Sequence, residues 1–169
     1  MCDKDADIYK EKNRLQKRVD DSRTQQVQIL SQDSLNGYKR LFGGRLMEWI
    51  DIVAAVTARR HCNMNVTTAA VDKLVFKKPA FANDLIVLEG YITYAGNTSM
   101  EICVESRVEA PDGSCTDINK AYLVMVAIDE QGNPARVPRL ITETEEEKRR
   151  YRAAVKRREM RIRRKAERF

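Results

Sequence analysis

The sequence has one histidine, His61, and four cysteines, Cys2, Cys62, Cys103 and Cys115, none of them in a Cys-x-x-Cys pair. Without a histidine or cysteine cluster there is no zinc-ligand pattern. Scattered thiols of this kind fit a reducing cytosol better than a disulfide framework. No apolar run is long enough to span a bilayer. The charged start, Met1-Cys2-Asp3-Lys4-Asp5, lacks the apolar core of a signal peptide. A soluble cytoplasmic protein is expected. The chain shows no internal repeat. Hydrophobic residues make up 43% of 169 positions, which excludes a wholly disordered chain and suits one domain with one core.

The net charge of +6 is unevenly placed. From Lys148 to the end there are 12 bases against Glu159 and Glu167, so residues 1–147 are net −4. The globular part is mildly acidic, and the basic character belongs to a C-terminal appendix.

The stretch from Leu41 to His61 organises the rest. After Gly43-Gly44, apolar residues recur at helical spacing: Leu46, Ile50, Val53, Ala54 and Thr57 share one face. Met47, Trp49, Ile52 and Val56 widen that stripe, so the helix is expected to be buried on nearly all sides. Asp51 stands in its middle. A buried, unpaired carboxylate is expensive and calls for a reason. Arg59-Arg60-His61 place bases at the negative end of the helix, and Asn63 and Asn65 turn the chain.

A strand is expected at Thr24–Leu30, and four more follow the helix, near 66–76, 85–94, 99–108 and 118–128. Pro111-Asp112-Gly113 marks a hairpin. The fold class is α+β: an antiparallel sheet wrapped around one long central helix. Open sheet edges predict pairing with a second copy. Residues 1–22 read as a charged N-terminal arm, loose or in a short helix. Residues 23–140 form the domain, and 141–169 an exposed basic helix. Thr142 with Glu145 is the expected capping box of that helix.

Several motifs in order carry a resemblance. They are Asn36-x6-Gly43-Gly44-x4-Trp49-Ile50-Asp51, then Val66-Thr67-x3-Val71-Asp72-x3-Phe76-x2-Pro79. Gly96-x-Thr98-Ser99-Met100 and Val126-Ala127-x4-Gly132-x4-Val137-Pro138 follow. Together they resemble the hot-dog-fold acyl-coenzyme A thioesterases, most closely the short single-hot-dog bacterial type, over roughly residues 23–150. The resemblance implies hydrolysis of fatty acyl-coenzyme A to free acid and coenzyme A. It implies no cofactor, since coenzyme A belongs to the substrate. It also implies sites at the interface of a homodimer, with dimers commonly gathered into hexamers.

Thioester hydrolysis needs a base to activate water and donors to hold the oxyanion. Asp51 is the expected base. The backbone N–H groups of Gly43 and Gly44, unsatisfied at a helix N-terminus, are the expected oxyanion donors. Asn36 matches the family's amide position and either positions the carbonyl or water or closes an Asx turn. Eight positions separate Gly43 from Asp51, roughly 12 Å along one helix, so one subunit cannot bring both to one thioester. Two antiparallel helices in a dimer can. Coenzyme A phosphates require bases, for which Arg40, Arg59, Arg60, Lys77 and Lys78 are candidates. Phe42, Thr67, Thr68, Thr98 and Ser99 complete the expected substrate-binding set. The chain departs from the family at Lys39, where glycine is usual, and at Arg40. Ala55 stands where the hydroxybenzoyl branch has a threonine.

Two other functions compete. A hot-dog hydratase or dehydratase would need a catalytic histidine, and His61 sits at the wrong end of the helix. A nucleic-acid-binding protein would use the basic tail, but the tail lacks interleaved aromatics and the rest of the chain is acidic.

Overall fold

The computed structural model describes residues 15–167. Strand β1 (Gln16–Arg18) leads through a 3-10 turn into β2 (Thr24–Ile29), and helix α1 (Gly43–Cys62) follows. Strands β3 (Asn65–Phe76), β4 (Leu85–Ala95), β5 (Ser99–Glu109) and β6 (Cys115–Ile128) come next, then β7 (Arg139–Ile141) and helix α2 (Glu145–Ala166). Five strands form one antiparallel sheet in the order β2-β4-β5-β6-β3. β1 and β7 pair in parallel as a separate ribbon. Residues 1–14 of the expected N-terminal arm lie outside the described residues, and 15–22 hold β1 and the 3-10 turn Asp20–Ser22.

Alternation along the strands sorts the sheet into two faces. Met100, Ile102 and Val104 of β5 join Ile86, Leu88 and Ile92 of β4 and Leu123, Met125 and Ala127 of β6 in one core with Leu46, Ile50, Val53, Ala54 and Ala58 of α1. The helix comes so close to β4 that a Cβ on Gly90 would stand 2.6 Å from Thr57 Oγ1, so glycine is required there. Asn63, left-handed at φ 55°, ends α1 by donating its N–H to the Arg59 carbonyl at 2.8 Å.

The helix is not enclosed on all sides. Ile52 is 46% exposed, Glu48 is exposed and Val56 is half-buried. The sheet covers only one side of α1, and the opposite flank lies open beside the outer edge strand β3, where Val71, Val75 and Phe76 are also exposed. The periodicity marks these positions as apolar but does not say whether this chain or another covers them.

Helix α2 lies on the other sheet face and is not a free tail. Ala154 is fully buried. Glu101 of β5, 1% exposed, accepts hydrogen bonds from Thr93 Oγ1 (2.7 Å), Arg157 Nη2 (2.7 Å) and Arg161 Nη1 (2.8 Å). Asp72 of β3 takes Arg161 Nη1 at 3.0 Å and Arg164 Nη2 at 2.8 Å. Among the described residues the most deeply buried carboxylate is thus Glu101, not Asp51. The cap of α2 is shifted by two residues from expectation: Thr144 is the N-cap and Glu147 its capping-box partner. No helix among the described residues is long and apolar enough to cross a membrane.

Candidate active site

The loop before α1 is built around Asn36. Its backbone N–H donates to the Arg40 carbonyl at 2.8 Å, and its carbonyl accepts from Lys39 N–H at 2.9 Å. Its side-chain Oδ1 accepts from Tyr38 N–H (2.9 Å) and Arg40 N–H (3.2 Å). Asn36 is therefore an Asx-turn residue. Because Oδ1 is fixed, the carboxamide orientation is fixed too, and Nδ2 makes no hydrogen bond among the described residues. Lys39 holds φ 55°, a left-handed conformation that favours glycine. At this position the loop thus takes the backbone conformation that a glycine would adopt.

Leu41 and Phe42 are anchored by backbone bonds to Ala80 (2.8 Å) and Ser34 (2.9 Å). Helix α1 then opens at Gly43 with Phe42 as N-cap and no side-chain cap. The N–H groups of Gly43, Gly44 and Arg45 have no partner among the described residues and lie at the positive end of the helix dipole. A Cβ on Gly44 would lie 2.5 Å from the Phe42 ring, and one on Gly43 would lie 3.3 Å from Phe76 Cζ. Each donor-bearing glycine thus has an aromatic wall.

Asp51 lies two turns further on, half-buried on the open flank of the helix. Thr68 Oγ1 donates to its Oδ1 at 2.7 Å and lies 3.3 Å from Met125 Sδ. Thr68, expected to bind substrate, is therefore the partner that orients Asp51. One carboxylate oxygen is engaged, and the other has no hydrogen-bond partner among the described residues. A carboxylate poised this way accepts a proton from water.

A cleft of about 280 Å³ opens beside the helix N-terminus. Its wall is apolar, with Leu46, Phe76, Pro79, Ala80 and Ile118, and its rim holds Asn36, Arg40, Lys77 and Lys78. Of these, Lys77 pairs with Asp117 at 3.2 Å, while Arg40 and Lys78 have no ion-pair partner among the described residues. The rim residues are legible in the sequence, and the wall is not. Pro79 and Phe76 stood out only as motif residues, and Ile118 looks like any strand residue.

The remaining candidates lie elsewhere. Arg60 is used structurally, its Nη1 donating to the Arg23 carbonyl (3.0 Å) and Thr24 Oγ1 (3.1 Å). Arg59 borders a cavity of about 550 Å³ at the C-terminal end of α1, with Asn63, Asn65, Asp129 and Glu130. Thr67 and Ser99 are both in register with Val126 at that same end, and Thr98 holds Ala127 N–H by its carbonyl. Within one chain none of these meets the cleft. His61 is fully buried, and its Nε2 donates to the Pro138 carbonyl at 3.1 Å. Burial pushes the Cys103 thiol up to about 11, which leaves it a poor nucleophile. No group of three or more metal-ligating side chains gathers among the described residues.

The chain is similar in sequence and fold to known proteins. The thioesterase superfamily domain matches residues 38–115. An uncharacterized acyl-CoA thioester hydrolase of Bacillus subtilis, YkhA, is 40% identical over 123 residues, covering 72% of each chain. An acyl-CoA hydrolase of Staphylococcus aureus, solved with butyryl coenzyme A, coenzyme A and coenzyme A disulfide, superposes with a TM-score of 0.86. It is 33% identical, and the match covers 90% of this chain and 93% of that one. The same enzyme has been solved as alanine variants at an aspartate, an asparagine and a threonine. A hexameric acyl-CoA thioesterase superposes at 0.87 with 39% identity, covering 90% and 98%.

Proposed function

This chain belongs to the acyl-CoA thioester hydrolases of the hot-dog fold, and from that premise we propose that it hydrolyses fatty acyl-coenzyme A at composite sites shared by two copies. One observation carries the proposal. Asp51 and the unsatisfied N–H groups of Gly43 and Gly44 sit on one rigid helix, roughly 12 Å apart. Neither can serve the other within a chain. The flank that bears Asp51 also exposes Ile52, and the edge strand next to it exposes Val71, Val75 and Phe76. A second copy packed antiparallel over that flank buries these side chains and sets its own Gly43 end against Asp51. The hexameric relative supports assembly of such dimers.

In this site Asp51, oriented by Thr68, takes a proton from water as the water oxygen bonds to the thioester carbon. The carbonyl oxygen becomes an oxyanion held by the partner copy's glycine N–H groups, with Asn36 Nδ2 as a further donor. Collapse of the intermediate breaks the C–S bond. The thiolate of coenzyme A leaves and takes up the proton, and the free acid remains. Arg40, Lys77 and Lys78 at the cleft rim are placed to meet the phosphates of coenzyme A, and the apolar wall suits its pantetheine arm. Coenzyme A enters as part of the substrate, and the chemistry uses no other cofactor. The unpaired thiols of Cys62, Cys103 and Cys115 fit a cytoplasmic setting.

The hydratase reading loses its base because His61 is buried and bonded to a backbone carbonyl. The nucleic-acid reading loses part of its charge because Arg157, Arg161 and Arg164 point at Glu101 and Asp72.

Subunit complementation tests the composite site. Asp51→Asn and Asn36→Ala should each reduce thiol release from acyl-coenzyme A by about 100-fold or more while remaining folded. Co-expressed, they should regain about a quarter of wild-type turnover, since half the dimers are mixed and each mixed dimer has one intact site. Activity no higher than that of the separate variants would place the whole site in one chain and end the proposal.

A further inference from the structure

We infer that Phe76 selects the acyl group by its bulk next to the carbonyl, an inference that rests on the thioesterase reading above. Phe76 ends β3 and is 54% exposed, an unusual position for a side chain of this size unless something covers it. Its ring does two things at once. Cζ lies 3.3 Å from the point where a Cβ on Gly43 would stand, so the ring rests against the first turn of α1. It also forms part of the apolar wall of the cleft with Leu46, Ala80 and Ile118. Leu46, Ala80 and Ile118 are backed by the core and cannot retreat, being 2%, 1% and 2% exposed. The Phe76 ring, by contrast, is not backed by the core of its own chain, so its size can change without opening that core.

The rim bases fix the phosphate end of the substrate at the outer mouth of this cleft. The N–H groups of Gly43 and Gly44 would hold the carbonyl next to this wall, since the Phe76 ring stands 3.3 Å from where a Gly43 Cβ would lie. A group reaching those donors passes the Phe76 ring, and the first atoms beyond the carbonyl are the α- and β-carbons of the acyl chain. The Phe42 ring stands 2.5 Å from where a Cβ on Gly44 would lie, so both donor glycines are crowded by rings and the approach to them is a narrow slot. A straight methylene chain lies flat in such a slot. A methyl branch at the α-carbon, or a benzoyl ring, meets Phe76. Selection therefore acts on branching beside the carbonyl and much less on chain length, which is decided farther out.

The test compares kcat/KM for hexanoyl-, 2-methylbutanoyl- and benzoyl-coenzyme A in the wild type, Phe76→Ala, Phe76→Leu and Phe76→Trp. The wild type should prefer the straight chain. Phe76→Ala should raise the branched-to-straight ratio by about tenfold or more, the scale of one or two methylenes in an apolar pocket. Phe76→Trp should lower it, and Phe76→Leu, which keeps most of the packing on β3, should fall between wild type and Ala. Equal changes for all three substrates, or a ratio that does not follow side-chain size, would overturn the assignment of Phe76. A wild-type enzyme that releases no thiol from hexanoyl-coenzyme A would break the thioesterase reading itself, a different result.

Discussion

At the scale of single residues, geometry separates groups that look alike in sequence. Asp51 and Glu101 are both carboxylates among apolar neighbours, yet Glu101 is closed off by two arginines and Asp51 is held by one neutral hydroxyl. A carboxylate locked in ion pairs is a structural charge. One with a single neutral donor keeps an open lone pair for water. Thr68 thus carries a specific load. Thr68→Val keeps the shape but removes the 2.7 Å donor, and should lower kcat about tenfold with KM little changed. Thr68→Ser should restore most of the rate. Steady-state kinetics on the three proteins decide this, and a valine variant with wild-type kcat would remove Thr68 from the site. Lys39 shows the opposite behaviour. Its side chain departs from the family, yet its backbone adopts the left-handed conformation glycine would take, so the loop around Asn36 is kept at the cost of some strain.

At the scale of elements, charged clamps tie strands and helices that are distant in sequence. Arg23, just before β2, and Arg107 of β5 both bond Glu89 of β4, at 2.6 and 3.2 Å. Burial alone would raise the Glu89 carboxyl, but these two guanidinium bonds outweigh it and hold the group below its ordinary value. A carboxyl depressed in the folded state stabilises the protein above the unfolded-state value of about 4.3 and loses that contribution as pH falls through the folded value. Glu89→Gln should therefore cost about 1–2 kcal/mol at pH 7 and flatten the loss of stability below about pH 4.5. Urea unfolding at pH 7 and pH 3.5 measures both. An unchanged pH dependence would show that Glu89 is not part of the acid transition. Helix α2 is clamped by the same kind of chemistry through Arg157, Arg161 and Arg164, which explains why a helix with so few apolar residues packs on the sheet at all.

At the scale of the whole molecule, a single chain is incomplete on one side. The sheet wraps part of α1 and leaves Ile52 and the outer edge of β3 open. A 12-residue edge strand with apolar side chains beside it is a pairing surface, and leaving it bare invites uncontrolled association. Ile52→Asp places a charge in the middle of that surface, one residue from Asp51. It should disperse the assembly to monomers in size-exclusion chromatography with light scattering. Thiol release should fall with it, although the substituted side chain takes no part in the chemistry. An active monomer would contradict the composite site at this scale.

Much of this was legible in the sequence, for local reasons. The apolar helical period drew α1, alternation drew the strands, and Gly43-Gly44 before an apolar helix with Asp51 at its middle marked the candidate site. Periodicity gave no sign of β1, which exists only because Arg139–Ile141 lies alongside it. Nor does alternation show the burial of Glu101, which depends on bases 56 and 60 residues away that come down on it. Thr68 could be named as a candidate, but its role waited on the register that places it over Asp51. What the sequence determined alone is what short-range pattern encodes: the elements, the glycine turn and the residue types of the chemistry. Only tertiary structure decided which side of the helix stays open, which carboxylate is neutralised and which ring stands over Gly43, because those depend on contacts between residues far apart in the chain.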